Sequence, residues 1–308
     1  MYSNLDLKKR SINNFFLIIN LDLYLTIIRR NKIMGFKKEL KDLPKLQFYK
    51  DLDLDLIISY RYRKEINKDT ILFLHGFNGN SKSWAYQFNF FKNKSSVISI
   101  DAPGFGKSDP SSIDMDVIAD VVVRLLKSLN ISKFHVVGHS MGGMLAQILG
   151  SKYSNNVGKL VLSCTFKGYN LPKNTPLMEP YQRRIKDRKN MSDDEYGRQR
   201  IREMLPKRAE DEIFEFLSVI SGEISEGSIN SGGMAMQYLD TTKYLPSIIN
   251  KCLIILASED VVVSKQKSEL LIKDIPHASI IELSNVGHAP YCEDAVSYNN
   301  VLVKFLLK

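Results

Sequence analysis

The sequence predicts an α/β protein: a mostly parallel sheet with helices on both faces and a helical segment inserted late in the chain. Three observations carry that prediction. Short β-rich runs alternate with helical patterns from about residue 45. Most of those runs end in Gly, Asp or His at or shortly after the last strand residue. Between residues 165 and 242 the alternation stops, and charged helical stretches take its place.

Length and composition agree with this class. A chain of 308 residues suits one large α/β domain, or a core with a small insertion. With 44% hydrophobic, 10% aromatic and 25% charged residues, it can bury a core and is not a disordered chain. Its three cysteines, Cys164, Cys252 and Cys292, form no CxxC pair. That argues against a disulfide-built secreted domain and a structural zinc site, and the expected location is cytoplasmic.

The elements follow in order. Residues 1–33 read as an N-terminal extension carrying much of the +9 net charge: the first 34 residues hold six Lys/Arg and two acids. Within it, residues 15–28 form an apolar run interrupted by Asn20 and Asp22. A bilayer-spanning helix needs about 20 residues, so this run is too short to cross a membrane. Arg29 and Arg30 stand where a signal peptide would carry small cleavage-site residues. A peripheral membrane contact through residues 15–28 is one alternative; another is that the functional chain starts at Met34. Beyond the extension the charge is interspersed, with no basic stripe interleaved with aromatics, so nucleic acid is not an expected partner.

Residues 46–49 and 56–63 read as a starting hairpin. Strands are expected at 70–74, 96–100, 134–137, 159–163, 252–257 and 279–283, and helices at 115–129, 144–153, 264–273 and 294–307, where apolar residues recur at three and four. In the insertion, helical stretches are expected at 179–189, 193–205 and 211–220; residues 167–243 carry thirteen basic and thirteen acidic residues, so this is no basic patch.

Chemistry concentrates after the strand at 134–137. Gly138-His139-Ser140-Met141-Gly142 is G-x-S-x-G at a strand-to-helix turn, where small neighbours permit the strained backbone that lifts a serine hydroxyl into the open. Such a hydroxyl needs a base, and the base needs an orienting acid. Of five histidines, His75 and His139 belong to turns, His135 lies in a strand and His277 follows Pro276 in a connection. His288 follows the last strand on the edge that also carries Ser140, and is the expected base. The acid should leave the preceding strand: Asp260 is preferred to its neighbour Glu259. Two backbone amides are expected to hold an oxyanion, those of Met141 and Phe77. The glycine-rich turn at 101–109 has neither a Walker lysine nor GxGxxG and reads as scaffold. Met178, Met234, Met236 and Tyr238 are expected to line an acyl pocket.

Taken together, HGF (75–77), DAPGFGKSD (101–109), GHSMGG (138–143), SED (258–260) and GHAP (287–290) resemble the α/β-hydrolase superfamily over roughly residues 45–308. The resemblance implies an eight-stranded sheet, a core built from residues 34–164 and 243–308, and a helical cap at 165–242 that closes over Ser140 and chooses substrates. Serine at the nucleophile position disfavours the dehalogenase and epoxide-hydrolase branches. His139 and Met141 depart from the GGSWG of an aminopeptidase branch. DAPGFGKSD and SMGG are similar to hydrolases that split carbon–carbon bonds of ring-cleavage products, but Phe77-Asn78-Gly79-Asn80 departs from their glycine-proline loop. GHAP followed by Glu293 is common to broad esterases and enol-lactonases. The expected function is therefore a serine hydrolase acting on a carboxylic ester of a small apolar substrate, without metal or organic cofactor. A carbon–carbon hydrolase of ring-cleavage diketone acids and an enol-lactonase are the alternatives. From a different class, a non-catalytic ligand receptor on the same fold is the remaining one.

Overall fold

The computed structural model describes residues 39–308, so the expectations for residues 1–33 and for the apolar run at 15–28 lie outside the described residues. Eight strands form one sheet: β1 (Leu46–Asp51), β2 (Leu56–Arg63), β3 (Thr70–Leu74), β4 (Ser96–Ile100), β5 (Phe134–His139), β6 (Val157–Ser163), β7 (Lys251–Ala257) and β8 (Ser279–Leu283). Their spatial order is β1-β2-β4-β3-β5-β6-β7-β8. β2 pairs antiparallel with both β1 and β4, and every later pairing is parallel.

The alternation of side chains across each strand explains why both faces are covered. Leu72, Leu74, Ile98, Ile100, Val136 and Leu160 point into one core, while Ile71, Phe73, Val97, Val137, Val161 and Ile255 point into the other. Each is too apolar to leave exposed, and a helix layer covers each face. The first core packs α2 (Met115–Ser128) and α3 (Met141–Lys152); the second packs α1 (Ala85–Phe90) and the C-terminal helix.

Between β6 and β7 lie four helices: α4 (Glu179–Asn190), α5 (Asp193–Met204), α6 (Glu212–Gly222) and α7 (Glu226–Tyr238). Three match expectation. The fourth is a correction: α7 contains Gly227, Gly232 and Gly233, whose low helix propensity hid it. Packing accounts for two of these glycines. A Cβ on Gly232 would stand 3.0 Å from the Phe77 and Phe105 rings, and one on Gly233 3.0 Å from Tyr181. After β7 come α8 (Lys265–Asp274), β8, a short α9 (Pro290–Glu293) and α10 (Ala295–Leu306). No described helix is long and apolar enough to cross a membrane.

Strand order fixes where a site can form. β3 has β4 on one side and β5 on the other, so the connections leaving β3 and β5 diverge and open a crevice beyond their carboxyl ends. His75-Gly76-Phe77 follows β3 and Ser140 follows β5.

Candidate active site

Ser140 stands between β5 and α3 with φ 51° and ψ −117°, a conformation that costs an L-residue about 1–3 kcal/mol. The surroundings hold it there. Its N–H donates to Ser163 O at 2.9 Å, and its carbonyl accepts from Thr165 Oγ1 at 2.7 Å. The turn is too tight for side chains at its flanks: a Cβ on Gly138 would stand 2.4 Å from Gly142 O, and one on Gly142 would stand 2.3 Å from Leu74 O. Glycine is required there by close approach of backbone to backbone.

His288 reaches Ser140 from the loop after β8. Its Nε2 lies 3.1 Å from Ser140 Oγ, and its Nδ1 lies 2.9 Å from Asp260 Oδ2. The other Asp260 oxygen accepts from the Val262 and Val263 amides at 2.8 and 2.9 Å. Burial pushes the Asp260 carboxyl upward, but His288 and the two amides outweigh it, and the net shift is downward. Neighbouring Glu259 instead lies 3.4 Å from the exposed Lys207 ammonium and makes no contact with His288.

The other histidines are placed differently. His75 accepts from the Ala102 amide at Nε2, which leaves its Nδ1–H to donate to Gly76 O. His139 is buried with its ring 4.8 Å from that of His288. Burial, and then the neighbouring His288, hold His139 well below the usual histidine range, so it stays neutral beside the base. His135 accepts from the Lys159 amide, and His277 is exposed.

The Met141 and Phe77 amides donate to no other group among the described residues. Met141 opens the 12-residue α3, whose dipole adds positive potential at that point. A cavity of about 690 Å³ adjoins it, lined on its apolar side by Leu74, Ile100, Met141 and Leu145. Ser140 and His288 are not part of its wall, so the cavity meets the site through Met141 and Gly142. Of the four residues expected to line a pocket, Met234 and Tyr238 do. Met178 and Met236 do not: Met236 is buried in the core, and the Met178 amide is tied to Gln237 at 2.8 Å.

Sequence reasoning noted Glu293 after GHAP but gave it no role, and the structure shows it with a direct hold on this site. Glu293 accepts from Gly287 N at 3.0 Å and from Ala289 N at 2.9 Å, clamping the backbone on both sides of His288. Arg208, from the segment between α5 and α6, lies 3.7 Å from the same carboxylate. The acid five residues after His288 was visible in the sequence, but its partners are backbone amides, which side-chain patterns do not show.

Residues 69–204 match the family model described as alpha/beta hydrolase fold. Among curated proteins, the chain is 25% identical over 268 residues to the dihydrolipoyllysine-residue acetyltransferase component of the acetoin cleaving system from Cupriavidus necator, covering 84% of this chain and 69% of that one. Over 105 residues it is 38% identical to 2-hydroxy-6-oxononadienedioate/2-hydroxy-6-oxononatrienedioate hydrolase from Paraburkholderia phymatum. That match spans 31% of this chain and only 35% of that relative's length. Among solved structures, an esterase from Exiguobacterium antarcticum superposes with a TM-score of 0.74 at 20% identity, covering 85% of this chain and 99% of that one. By its eight-stranded sheet and by the sequence of residues 69–204, the chain is an α/β-hydrolase-fold protein.

Proposed function

We propose that this protein is a serine hydrolase that cleaves a carboxylic ester of a small apolar substrate through an acyl-enzyme. The observation that carries this reading is the continuous hydrogen-bonded line from Ser140 Oγ to His288 Nε2 at 3.1 Å and from His288 Nδ1 to Asp260 at 2.9 Å. With Asp260 accepting the Nδ1 proton, the Nε2 lone pair faces the serine hydroxyl. Ser140 attacks the ester carbonyl while His288 takes its proton, and the Asp260 carboxylate orients and compensates the imidazolium. The Phe77 and Met141 amides receive the oxyanion. His288 then returns the proton to the leaving alcohol, and a water activated by the same imidazole releases the acid.

The cavity of about 690 Å³ beside Met141 is of the size that takes a small ligand, and its wall of Leu74, Ile100, Leu145 and Met234 suits an apolar acyl group. In this reading residues 165–242 act as the cap: α7 supplies Met234 and Tyr238 to the cavity and sets which acids fit.

A second reading, carbon–carbon hydrolysis of a ring-cleavage diketone acid, draws on the 38% identity to the Paraburkholderia hydrolase and on one side chain. Arg184 forms no ion pair or hydrogen bond among the described residues, and its guanidinium lies 5.5 Å from the ring centre of Phe77. A substrate carboxylate there would have a cation to meet. A panel of short- and medium-chain aryl esters, an enol-lactone and a vinylogous diketone acid, compared by kcat/KM, separates the readings. Esters are expected to be preferred. If the diketone acid is turned over at least about a hundredfold better than every ester, and Arg184→Ala removes that preference, the second reading replaces the first.

A further inference from the structure

Behind the His288–Asp260 pair lies a third side chain of metal-ligating type. Cys164 follows β6 directly, and its φ of 47° places it in the left-handed region that residues other than glycine rarely adopt. Its amide donates to Ile255 O at 2.9 Å, which fixes this turn against β7. Cys164 Sγ, an Asp260 carboxylate oxygen and a His288 ring nitrogen all lie within 4.8 Å of one another, the one such group of three among the described residues. We propose that these three atoms form a binding site for a thiophilic divalent cation such as Zn²⁺ or Cd²⁺, and that its occupation switches the catalytic site off.

Three arguments support the site. Thiolate, imidazole and carboxylate form a donor set that Zn²⁺ accepts, at bond lengths of about 2.0–2.3 Å. Ligand atoms around a tetrahedral ion of that size stand about 3.5 Å apart, so side-chain rotations of about 1 Å close the trio on a cation. There is also a way in that does not pass the substrate cavity. A second cavity, of about 170 Å³, reaches Cys164 and Asp260 from behind and is walled by the exposed Lys265 and Glu282. It leaves room for a water as fourth ligand.

The consequence for catalysis follows from the imidazole tautomer, and it rests on the reading of His288 as base. In the working arrangement the ring proton is on Nδ1, shared with Asp260, and Nε2 is free to take a proton from Ser140. A cation on Nδ1 occupies that lone pair, so the ring proton moves to Nε2. The Cys164 thiol loses its proton to solvent as the metal–sulfur bond forms, and no electron is transferred. Nε2–H then faces Ser140 Oγ and cannot accept its proton, while Asp260 is drawn from orienting the ring to holding the metal.

Cadmium titration of the full-length protein, read by the ultraviolet cadmium–thiolate charge-transfer band, tests the site without requiring any turnover. One equivalent of band is expected in wild type and in Cys292→Ala, and none in Cys164→Ser. A band that survives in Cys164→Ser, or no band in wild type at millimolar Cd²⁺, overturns the site. The switch is read from Zn²⁺ inhibition of aryl-ester hydrolysis, each protein measured against its own metal-free rate and restored by chelator. The half-inhibiting concentration should rise at least tenfold in Cys164→Ser. Equal inhibition of the two proteins, or a full band with undiminished turnover, overturns the switch. A protein that hydrolyses no ester yet gives the band contradicts the esterase reading and leaves the site standing.

Discussion

A Cβ on Gly142 would stand 2.3 Å from Leu74 O, whereas Arg198 in the helical insertion reaches three carboxylates, those of Asp194 at 3.4 Å, Glu210 at 3.2 Å and Glu215 at 2.7 Å. The carboxyl edge of the sheet is built from contacts of the first kind. Backbone meets backbone there, a left-handed serine is pinned by Ser163 and Thr165, and a change of one carbon has no room. The insertion uses the second kind: beside Arg198, Arg183–Glu203, Arg188–Asp193 and Arg208–Asp211 are further partly exposed pairs. Such pairs contribute about 0–1 kcal/mol each and can be rearranged. Groups that need placement to a fraction of an ångström therefore sit on the rigid edge, and the insertion adds Met234 and Tyr238 to a cavity wall that the core begins with Leu74, Ile100 and Leu145.

The largest effect is expected at Asp260. Asp260→Asn should lower kcat/KM for an ester by about 10⁴-fold, because the amide favours the wrong imidazole tautomer. Glu259→Gln, one residue away and paired with Lys207, should stay within about threefold of wild type. The reverse result in steady-state kinetics would reassign the acid.

Stability sharpens the contrast. Gly142→Ala should cost about 3 kcal/mol or more in chemical denaturation, since a methyl group must displace the β3 backbone. Arg198→Ala should cost about 1 kcal/mol, and less in high salt. Equal losses would mean that the insertion is as over-determined as the edge.

Glu293→Gln tests the clamp on the His288 loop. It keeps one acceptor for the Gly287 and Ala289 amides in place of two, so kcat should fall about tenfold while KM is nearly unchanged. A rise in KM with kcat preserved would move Glu293 from positioning the base to shaping the pocket.

The smallest expected effect is on stability against pH. Burial lowers His75, His139 and His135 below the ordinary histidine value. The unfolded chain therefore binds more protons than the folded one as acidity increases, and the stability of these buried neutral rings is complete above the ordinary value of about 6.5 and lost as pH falls through their lower folded values. Tm should decline gradually from pH 7.5 to pH 5. Asp260, also lowered, adds its loss only at more acid pH, below the ordinary carboxylate value of about 3.9. A Tm that rises on acidification would contradict the burial of these rings.

Much of this architecture was legible in the sequence, and most of the exceptions share one cause. Strands such as Thr70–Leu74 and Ser96–Ile100 begin and end where β-rich runs meet their turn residues. Ser140, Asp260 and His288 could be singled out because each follows a strand at one sheet edge, and in the fold their side chains do meet. Most of what stayed hidden depends on partners far away in the chain. Helix α7 is stabilised by rings from the core that fill the space its glycines leave, so its own propensity understates it. Met178 and Met236 resemble Met234 in sequence, and only the packing of α7 separates cavity wall from core. The approach of Cys164 to Asp260 arises from loops that meet in space, whereas the hold of Glu293 is local and depends on the backbone turn that brings the Gly287 and Ala289 amides to its carboxylate.

Covalent capture tests most directly whether Ser140, raised by the strained turn, is the nucleophile. The protein is treated with a serine-directed aryl phosphonate, digested and read by mass spectrometry, beside Ser140→Ala and His288→Gln. A single adduct on Ser140 is expected in wild type, none in Ser140→Ala, and labelling slowed by at least about 10³-fold in His288→Gln, with all three proteins melting within a few degrees of one another. An adduct on another serine, or equal labelling of Ser140→Ala, would contradict Ser140 as the nucleophile.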